Sequence, residues 1–377
     1  MSWPKPTVID PLEAPKALHL GRWLFFFILL ILITGIVLAL MWPDKNSFLQ
    51  WTFWLSIAFI SAAIGSIAVS VRFYLYGLAQ EEYEIWQLEQ KQIEQNWQEW
   101  AMQSLIVLNS FYALPSKISI DDIMENSQNL TSHANKPLIF NDDFDMTGCV
   151  ESLFSSMQDV LSLLSPKEFI NIIVYSSPES YGLSEKDIDV AYKNAKIKQP
   201  YTMSYQIMSQ VDTDKLIERI ESPQSSIQLI IINNTGSSGS AFICAFLFTD
   251  KKYYQDLAID IGKNEILRPM ITQDMPIGIQ QMAEMQSVIH QVKQLWFSNL
   301  DKKQEVNVAK QLAEWDISPE LMYHLENIAG NQTELSYWLS LVLACEMVTK
   351  TKQNNLIAAM NHNQWLFSVV TTIDRES

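Results

Sequence analysis

Two apolar runs without a single charged side chain open the pattern of this sequence. The first, Trp23–Trp42, reads WLFFFILLILITGIVLALMW, and the second is Phe48–Val71; the short polar turn Pro43–Ser47 joins them. A helix needs about 20 such residues to cross a hydrocarbon core of roughly 30 Å. Backbone groups in lipid must find partners within their own segment, so the runs predict a hairpin of two transmembrane helices over residues 23–72. Arg22, Asp44, Lys45 and Arg72 bracket the runs, as expected when Arg or Asp at mid-membrane costs about 2.5–3.5 kcal/mol. A cleaved signal peptide has a shorter apolar region. Tryptophans 23, 42, 51 and 54 stand near the ends of the runs, where aromatic belts form.

Beyond Val71 the pattern changes period without a breaker. Phe73–Ala101 contains no proline, and Tyr83, Trp86, Ile93, Trp97 and Trp100 recur at helical intervals. This predicts one long juxtamembrane helix, residues 73–103, with a tryptophan stripe. The stripe either packs on the soluble part or receives a protein partner, and Trp86, Trp97 and Trp100 are its candidate partner-binding residues. Residues 104–377 form the expected soluble domain, after a cytosolic tail over residues 1–22. In it, apolar runs of strand length alternate with helical stretches: Ser104–Leu108, Phe169–Tyr175, and a hairpin of Ile227–Ile232 with Ala241–Phe248. Expected helices cover Val150–Leu164, Ser184–Lys196, Asp214–Glu221, Gln280–Leu295, Gln304–Ala313 and Thr333–Thr349. A closing hairpin joins Leu356–Ala359 to Trp365–Thr371. Strands that are apolar on both sides need cover on both sides. The fold class is therefore α/β, a mixed sheet with helices packed on both faces. No internal repeat is visible.

Charge narrows the partners. The chain of 377 residues carries a net charge of −16, and beyond residue 80 the balance is 21 basic against 39 acidic side chains. Such a domain repels nucleic acid. Lys5, Lys16 and Arg22 precede the first span, Arg72 and Lys91 follow the second, and the turn holds only Lys45. The excess of basic residues puts both ends of the hairpin in the cytoplasm.

Motifs for chemistry are sparse. Cys149, Cys244 and Cys345 are widely spaced, with neither metal nor disulfide spacing. Cys149 stands at a helix start, where a thiol pKa falls, and His290, His324 or His362 would have to supply its base; an inert packing residue is the plainer reading. The loop Thr235–Ser240 is glycine-rich, yet it joins two strands and lacks the Lys-Ser/Thr of a P-loop. Asp142, Asp143 and Asp145 lack the glycine and distal glutamate of a calcium loop. No cofactor and no metal is expected.

Two segments resemble known families. Two spans followed by a Gln/Glu/Trp-rich helix, with Trp97-Gln98-Glu99-Trp100-Ala101, Leu105–Leu108 and Leu114-Pro115, resemble membrane proteins encoded beside effectors of the type VI secretion system of Gram-negative bacteria. That likeness, over about residues 20–115, implies an inner-membrane adaptor or immunity protein binding a secreted effector or toxin. The closing elements, Leu356–Ala359, a polar turn and Trp365–Thr371 after the apolar helix Thr333–Thr349, resemble the thiolase-like fold. Condensing enzymes of that fold carry a cysteine at a strand-to-helix turn and histidines in glycine-rich motifs; neither surrounds Cys149 or Asn361-His362-Asn363. The combined expectation is a non-enzymatic, membrane-anchored binding protein. The alternative is a membrane-tethered thiolase-like enzyme on acyl or lipid substrates.

Overall fold

The structure is a computed structural model. It describes residues 3–4, 11–16, 19–41, 49–125, 133–141, 143–180, 183–222, 224–236, 239–257 and 259–373. Trp42, the expected turn Pro43–Ser47, the basic residues Lys5 and Lys45, Asp142 of the acidic cluster, and Ser237-Ser238 of the glycine-rich loop lie outside these residues. The chain divides into two compact units, one of residues 6–96 and one of residues 1–5 together with 97–377.

The first unit is helical. Helix α1, Leu20–Met41, is followed by α2, Leu49–Ala101, whose 53 residues run through into the second unit. Both are long and apolar enough to cross a membrane. Their large apolar side chains, among them Phe25, Ile33, Ile36, Leu40, Trp51, Phe59 and Ile67, point outward rather than into a core. The two helices meet through small groups. Gly65 is approached so closely by Phe27 that a Cβ there would lie 2.2 Å from the ring, and Thr34 and Ser61 are buried. Thr34, Ser56 and Ser66 donate their hydroxyls to the carbonyls four residues back, the usual way such side chains are satisfied away from water.

The second unit is built on one sheet of eleven strands. Its strands are β1 (Ser104–Ala113), β2 (Ile170–Ser176), β3 (Tyr201–Ile207), β4 (Ile227–Asn234), β5 (Phe242–Asp250), β6 (Asn264–Leu267), β7 (Met270–Thr272), β8 (Val292–Ser298), β9 (Leu321–His324), β10 (Asn354–Asn361) and β11 (Gln364–Thr371). The spatial order is β3-β2-β4-β5-β1-β6-β11-β10-β8-β9, with β7 beside β11. Within β1 to β5, the order outward from the middle is first, fifth, fourth, second, third. Counting β6, β8, β9, β10 and β11 as a second five, the order outward is the same. Parallel pairing also repeats: β4 and β3 flank β2 in parallel, as β10 and β9 flank β8, and β5 and β11 run antiparallel to β4 and β10. The architecture is thus a duplication, although no repeat is visible in the residues.

Helices cover both faces, as the α/β reading requires. Alternate residues of β4 divide between two cores: Ile230 and Ile232 face the central one, Leu229 and Ile231 the outer one. The outer layer on that half is α4 (Met146–Leu163) and α5 (Glu185–Asn194). On the other half, Leu356 and Ala358 of β10 face α8 (Met275–Met285) and α9 (Lys302–Glu314), while Ile357 and Ala359 face the centre. Between the halves lie α6 (Thr213–Glu221) and α11 (Ser336–Thr351), the latter buried over nearly its whole length. Three short helices, α3 (Ile120–Glu125), α7 (Lys251–Leu257) and α10 (Leu325–Ala329), complete the set.

One expected helix is corrected. Residues 280–295 do not continue as one: α8 stops at Gln286, a 3-10 turn covers Ser287–Gln291, and β8 begins at Val292. Gln286 is fully buried, and its side-chain amide donates to the carbonyls of Ala101 and Arg268, at 2.8 and 3.0 Å. That pair of bonds fixes the break, and nothing in the local pattern announces it. Strand β3 (YTMSYQI) also escapes the pattern. It is an edge strand with alternating exposed and half-buried positions.

Candidate active-site crevice

In α/β sheets, ligands bind outside the carboxyl ends of parallel strands. Here those ends come from both halves and meet. Ser177, Pro178 and Glu179 follow β2, Ser209 follows β3, and Asn234 ends β4. Asn299 follows β8, and Gln332, Thr333, Glu334 and Leu335 lead into α11. Together they line a cavity of about 430 Å³. A second cavity, about 830 Å³, shares Ser209 and runs along Ile207–Asp214 to Asn361–Gln364 of the β10–β11 turn. The starts of α6 and α11, equivalent elements of the two halves, stand at this junction.

Backbone packing makes the walls. A Cβ at Gly236 would lie 1.7 Å from the carbonyl oxygen of Glu179, so the loop after β4 is held directly against the loop after β2. Gly330 adopts φ 75°, a conformation open to glycine, and a Cβ there would meet the Lys136 carbonyl at 2.3 Å. Ser240 N–H donates to Asn331 O at 2.9 Å, Asn331 N–H to Lys136 O at 3.0 Å, and Ser177 N–H to Asn233 O at 3.0 Å. Thr235 N–H donates to the Ser180 hydroxyl, which itself donates to Asn233 O.

Several side-chain acceptors at this junction lack a partner. Asn234 is fully buried. Its amide nitrogen donates to Ser240 O at 3.1 Å, but its Oδ1 has no donor. The same holds for Gln332 Oε1, Thr333 Oγ1, Gln210 Oε1 and Asn361 Oδ1. A buried acceptor left unmatched costs about 1–3 kcal/mol; Asn234, Gln332 and Thr333 belong to the smaller cavity's lining, Gln210 and Asn361 to the larger one's. At the mouth, the backbone N–H of His362 donates to Glu334 Oε2 at 2.8 Å, and its Nδ1 lies 3.9 Å from Oε1.

The residues singled out from the sequence fall elsewhere, except one. Cys149 lines a separate groove of about 640 Å³ beside Tyr112, Phe140 and Phe144. Burial, then the nearby Asp145 carboxylate, push its thiol up to about 11. Cys244 and Cys345 are wholly buried, and burial raises both thiols further from ionisation. His290 is bonded to the carbonyl of Ala283 and His324 to Glu305. Only His362 reaches the crevice. Among the described residues, no three His, Cys, Asp or Glu gather as metal ligands. The crevice residues themselves carry no local signature: Asn234, Ser177 and Asn299 are ordinary strand-end polar residues whose meeting depends on the sheet order.

The tryptophans divide between the units. Trp86 stacks on Tyr83, with ring centroids 5.9 Å apart, in the helical unit. Trp97 and Trp100 belong to the second unit, their rings 4.6 Å apart and edge-to-face. Trp100 also meets Trp3 edge-to-face at 5.7 Å, and Arg268 lies over its ring at 3.9 Å.

No protein-family model and no curated protein matches the chain. Similarity is found among solved structures. One is a type II polyketide ketosynthase in complex with its acyl-carrier protein and bound to the hexaketide (10% identity, 72% of this chain, 100% of that chain, TM-score 0.46). Another is 3-oxoacyl-[acyl-carrier-protein] synthase III from Aquifex aeolicus (13% identity, 71% and 99%, TM-score 0.42). A third is a variant of OleA from Xanthomonas campestris (8% identity, 72% and 99%, TM-score 0.42).

These comparisons correct the functional expectation. The similar structures are condensing enzymes, not adaptors, immunity proteins or parts of a type VI secretion machine. The expectation of a non-enzymatic binding protein falls with them. Physically, the second unit brings strand ends of both halves to one crevice, and short sequence resemblance around a tryptophan pair said nothing about it.

Proposed function

We propose that this chain is a membrane-tethered enzyme of thiolase-like fold that acts on an acyl substrate in the crevice between its two halves. The observation that carries this reading is the convergence of strand ends from both halves on one cavity with a mostly polar lining. Pro178 and Leu335 are the apolar residues of the smaller cavity's lining. Leu335 leads to Trp338, which packs on Tyr175 and Phe246 of the central core. A few placed polar groups over an apolar wall is the usual make-up of a small-molecule site. Structures of OleA have been solved with lauric acid and lauroyl-CoA, and an acyl substrate is proposed here on that fold and this crevice.

The chemistry runs without a thiolate. Cys149, with its thiol at about 11, is protonated at neutral pH and lies in another groove. His362, which lines the larger cavity and whose backbone N–H donates to Glu334, is the acid–base group. It takes the proton of a water that adds to the acyl carbonyl, and returns it to the leaving group as the tetrahedral adduct collapses. His362→Asn should lower kcat for hydrolysis of a soluble hexanoyl ester by about 100-fold or more, the usual share of general acid–base catalysis, with KM little changed. Unchanged kcat in that variant refutes the assignment.

The anchor supports a bilayer setting. We propose that α1 and the apolar part of α2 cross the bacterial inner membrane as residues 23–72, followed by the juxtamembrane helix 73–103 and a cytoplasmic soluble domain over 104–377. The acidic soluble part and the basic flanks favour that orientation. Trp86 is the proposed contact for a protein partner, whereas Trp100 is engaged by Trp3 and Arg268 and Trp97 packs on Trp100.

A further inference from the structure

We infer that the second unit holds a site for a phosphate monoester at the end of the sheet opposite the crevice. The site is independent of the acyl reading. The crevice lies past the carboxyl ends of β8 and β10; another cavity, of about 550 Å³, lies at their amino ends, where Lys293 and Asn354 stand. Lys251, the first residue of α7, and Lys352, just past the end of α11, complete its basic wall. Met102, Leu267 and Val288 supply an apolar side.

Charge sets this cavity apart. In a chain of 26 basic and 42 acidic residues, both crevice cavities and the Cys149 groove carry more carboxylates than lysines. Here three lysines from three elements meet one carboxylate, Glu265. Glu265 is 3% exposed, accepts from the Ser104 hydroxyl at 2.9 Å, and lies 3.4 Å from Lys251 Nζ. Lys293 is paired at 2.6 Å with Glu320, which is not part of the lining. Lys352 has no carboxylate partner among the described residues. Like charges gathered from separate elements repel one another, and a bound anion relieves that.

A neutral side chain asks for the same ligand. Asn354 is 9% exposed and lines this cavity. Its Oδ1 accepts from the Thr371 hydroxyl at 2.8 Å, which leaves Nδ2 as the free end of the amide. Among the described residues Nδ2 has no acceptor, and unlike Glu265 Oε1 it keeps accessible surface. An amide N–H and ammonium groups can only donate. A phosphate monoester, with a charge of roughly −2 and three acceptor oxygens, matches that set, and its organic part has the apolar side to lie on.

Hexyl phosphate, titrated calorimetrically into the full chain in phosphatidylcholine nanodiscs, is expected to bind, and hexanol is not. Lys352→Gln should weaken hexyl phosphate about tenfold. Asn354→Asp keeps the acceptor for Thr371 and turns the donor into a carboxylate, so it should weaken binding at least as much. Lys293→Gln, on a half-exposed side chain, repeats the test should the Asn354 variant fail to fold. Nanodiscs containing phosphatidic acid separate the sources: hexyl phosphate is excluded there if a lipid head group fills the site, and still binds if the ligand is a soluble ester. No binding in phosphatidylcholine discs, or binding untouched by the variants, overturns the site.

Discussion

Single side chains in this protein are tuned by what surrounds them rather than by sequence neighbours. Cys149 sits in the first turn of a helix, a place that lowers thiol pKa in isolation. Burial and Asp145 win, and the thiol rises to about 11. At neutral pH about one thiol in ten thousand is then ionised. Cys149→Ser is expected to keep turnover within twofold, and alkylation of Cys149 at neutral pH should be about a hundredfold slower than for a free cysteine. Fast, site-selective alkylation there would put the thiol back among the catalytic candidates. His324 shows the opposite shift. Its hydrogen bond to Glu305, at 2.9 Å, raises the imidazole above its ordinary 6.5. With the folded value above the unfolded one, the stabilisation is fully present below 6.5 and is lost as pH rises through the folded value. His324→Gln should therefore lower the melting temperature more at about pH 5.5 than at about pH 8.5. Equal losses at both pH values would mean the ring acts by packing alone.

At the scale of elements, the end of α2 is where the soluble unit takes hold of the chain. Arg268, 1% exposed, donates from Nε to Trp100 O at 3.0 Å and from Nη1 to Glu221 at 2.6 Å, and bonds Gln103 as well. Its guanidinium plane covers the Trp100 ring, a contact worth up to about 2 kcal/mol where water is excluded. On the far side of that ring cluster sits Trp3. Its indole N–H donates to Pro269 O at 3.2 Å, and its own carbonyl accepts from Gln281 at 3.2 Å. Trp3→Ala should cost the soluble unit about 3–5 kcal/mol, the usual range for a truncated buried tryptophan, and lower its melting temperature. Trp86→Ala, in the other unit, should leave that transition in place. A similar drop from both variants would show that Trp86 is a packing residue of the soluble part.

The same clamp bears on the molecule as a whole. Residues 3–4 precede α1 and the clamp on Trp100 follows the apolar part of α2, yet both belong to one compact unit. A chain whose two flanks dock on one domain must have both flanks in one compartment. An even number of spans between them satisfies this, and two helices there, α1 and α2, are long and apolar enough to cross a membrane. A phosphatase fused after Ser377 should be inactive and a cytosolic fluorescent reporter bright; an active phosphatase would place the crevice and its substrate on the other side of the membrane. Within the soluble unit, the duplication is the larger organising fact. The strand order of one half recurs in the other around α6 and α11, and it brings two sets of strand ends to one crevice.

Much of this could be read from the residues alone. Continuous apolar length gave α1 and the first half of α2, because lipid-length helices depend on composition and not on neighbours. Strands apolar on both sides gave the covered mixed sheet: Leu229, Ile230, Ile231 and Ile232 all had to be apolar, because neither face of that strand meets water. The helix start at Ser184 follows from local capping, whereas the helix expected from Gln304 begins at Lys302, capped by Asp301. What only the tertiary structure decided is the break at Gln286, the duplication and the crevice. Gln286 ends its helix because of carbonyls at Ala101 and Arg268, far along the chain. Asn234 and Gln332 become neighbours at one cavity only because sheet order sets β4 beside the approach to α11. Periodicity reports what a segment needs to bury; it carries no record of which distant segment will stand opposite.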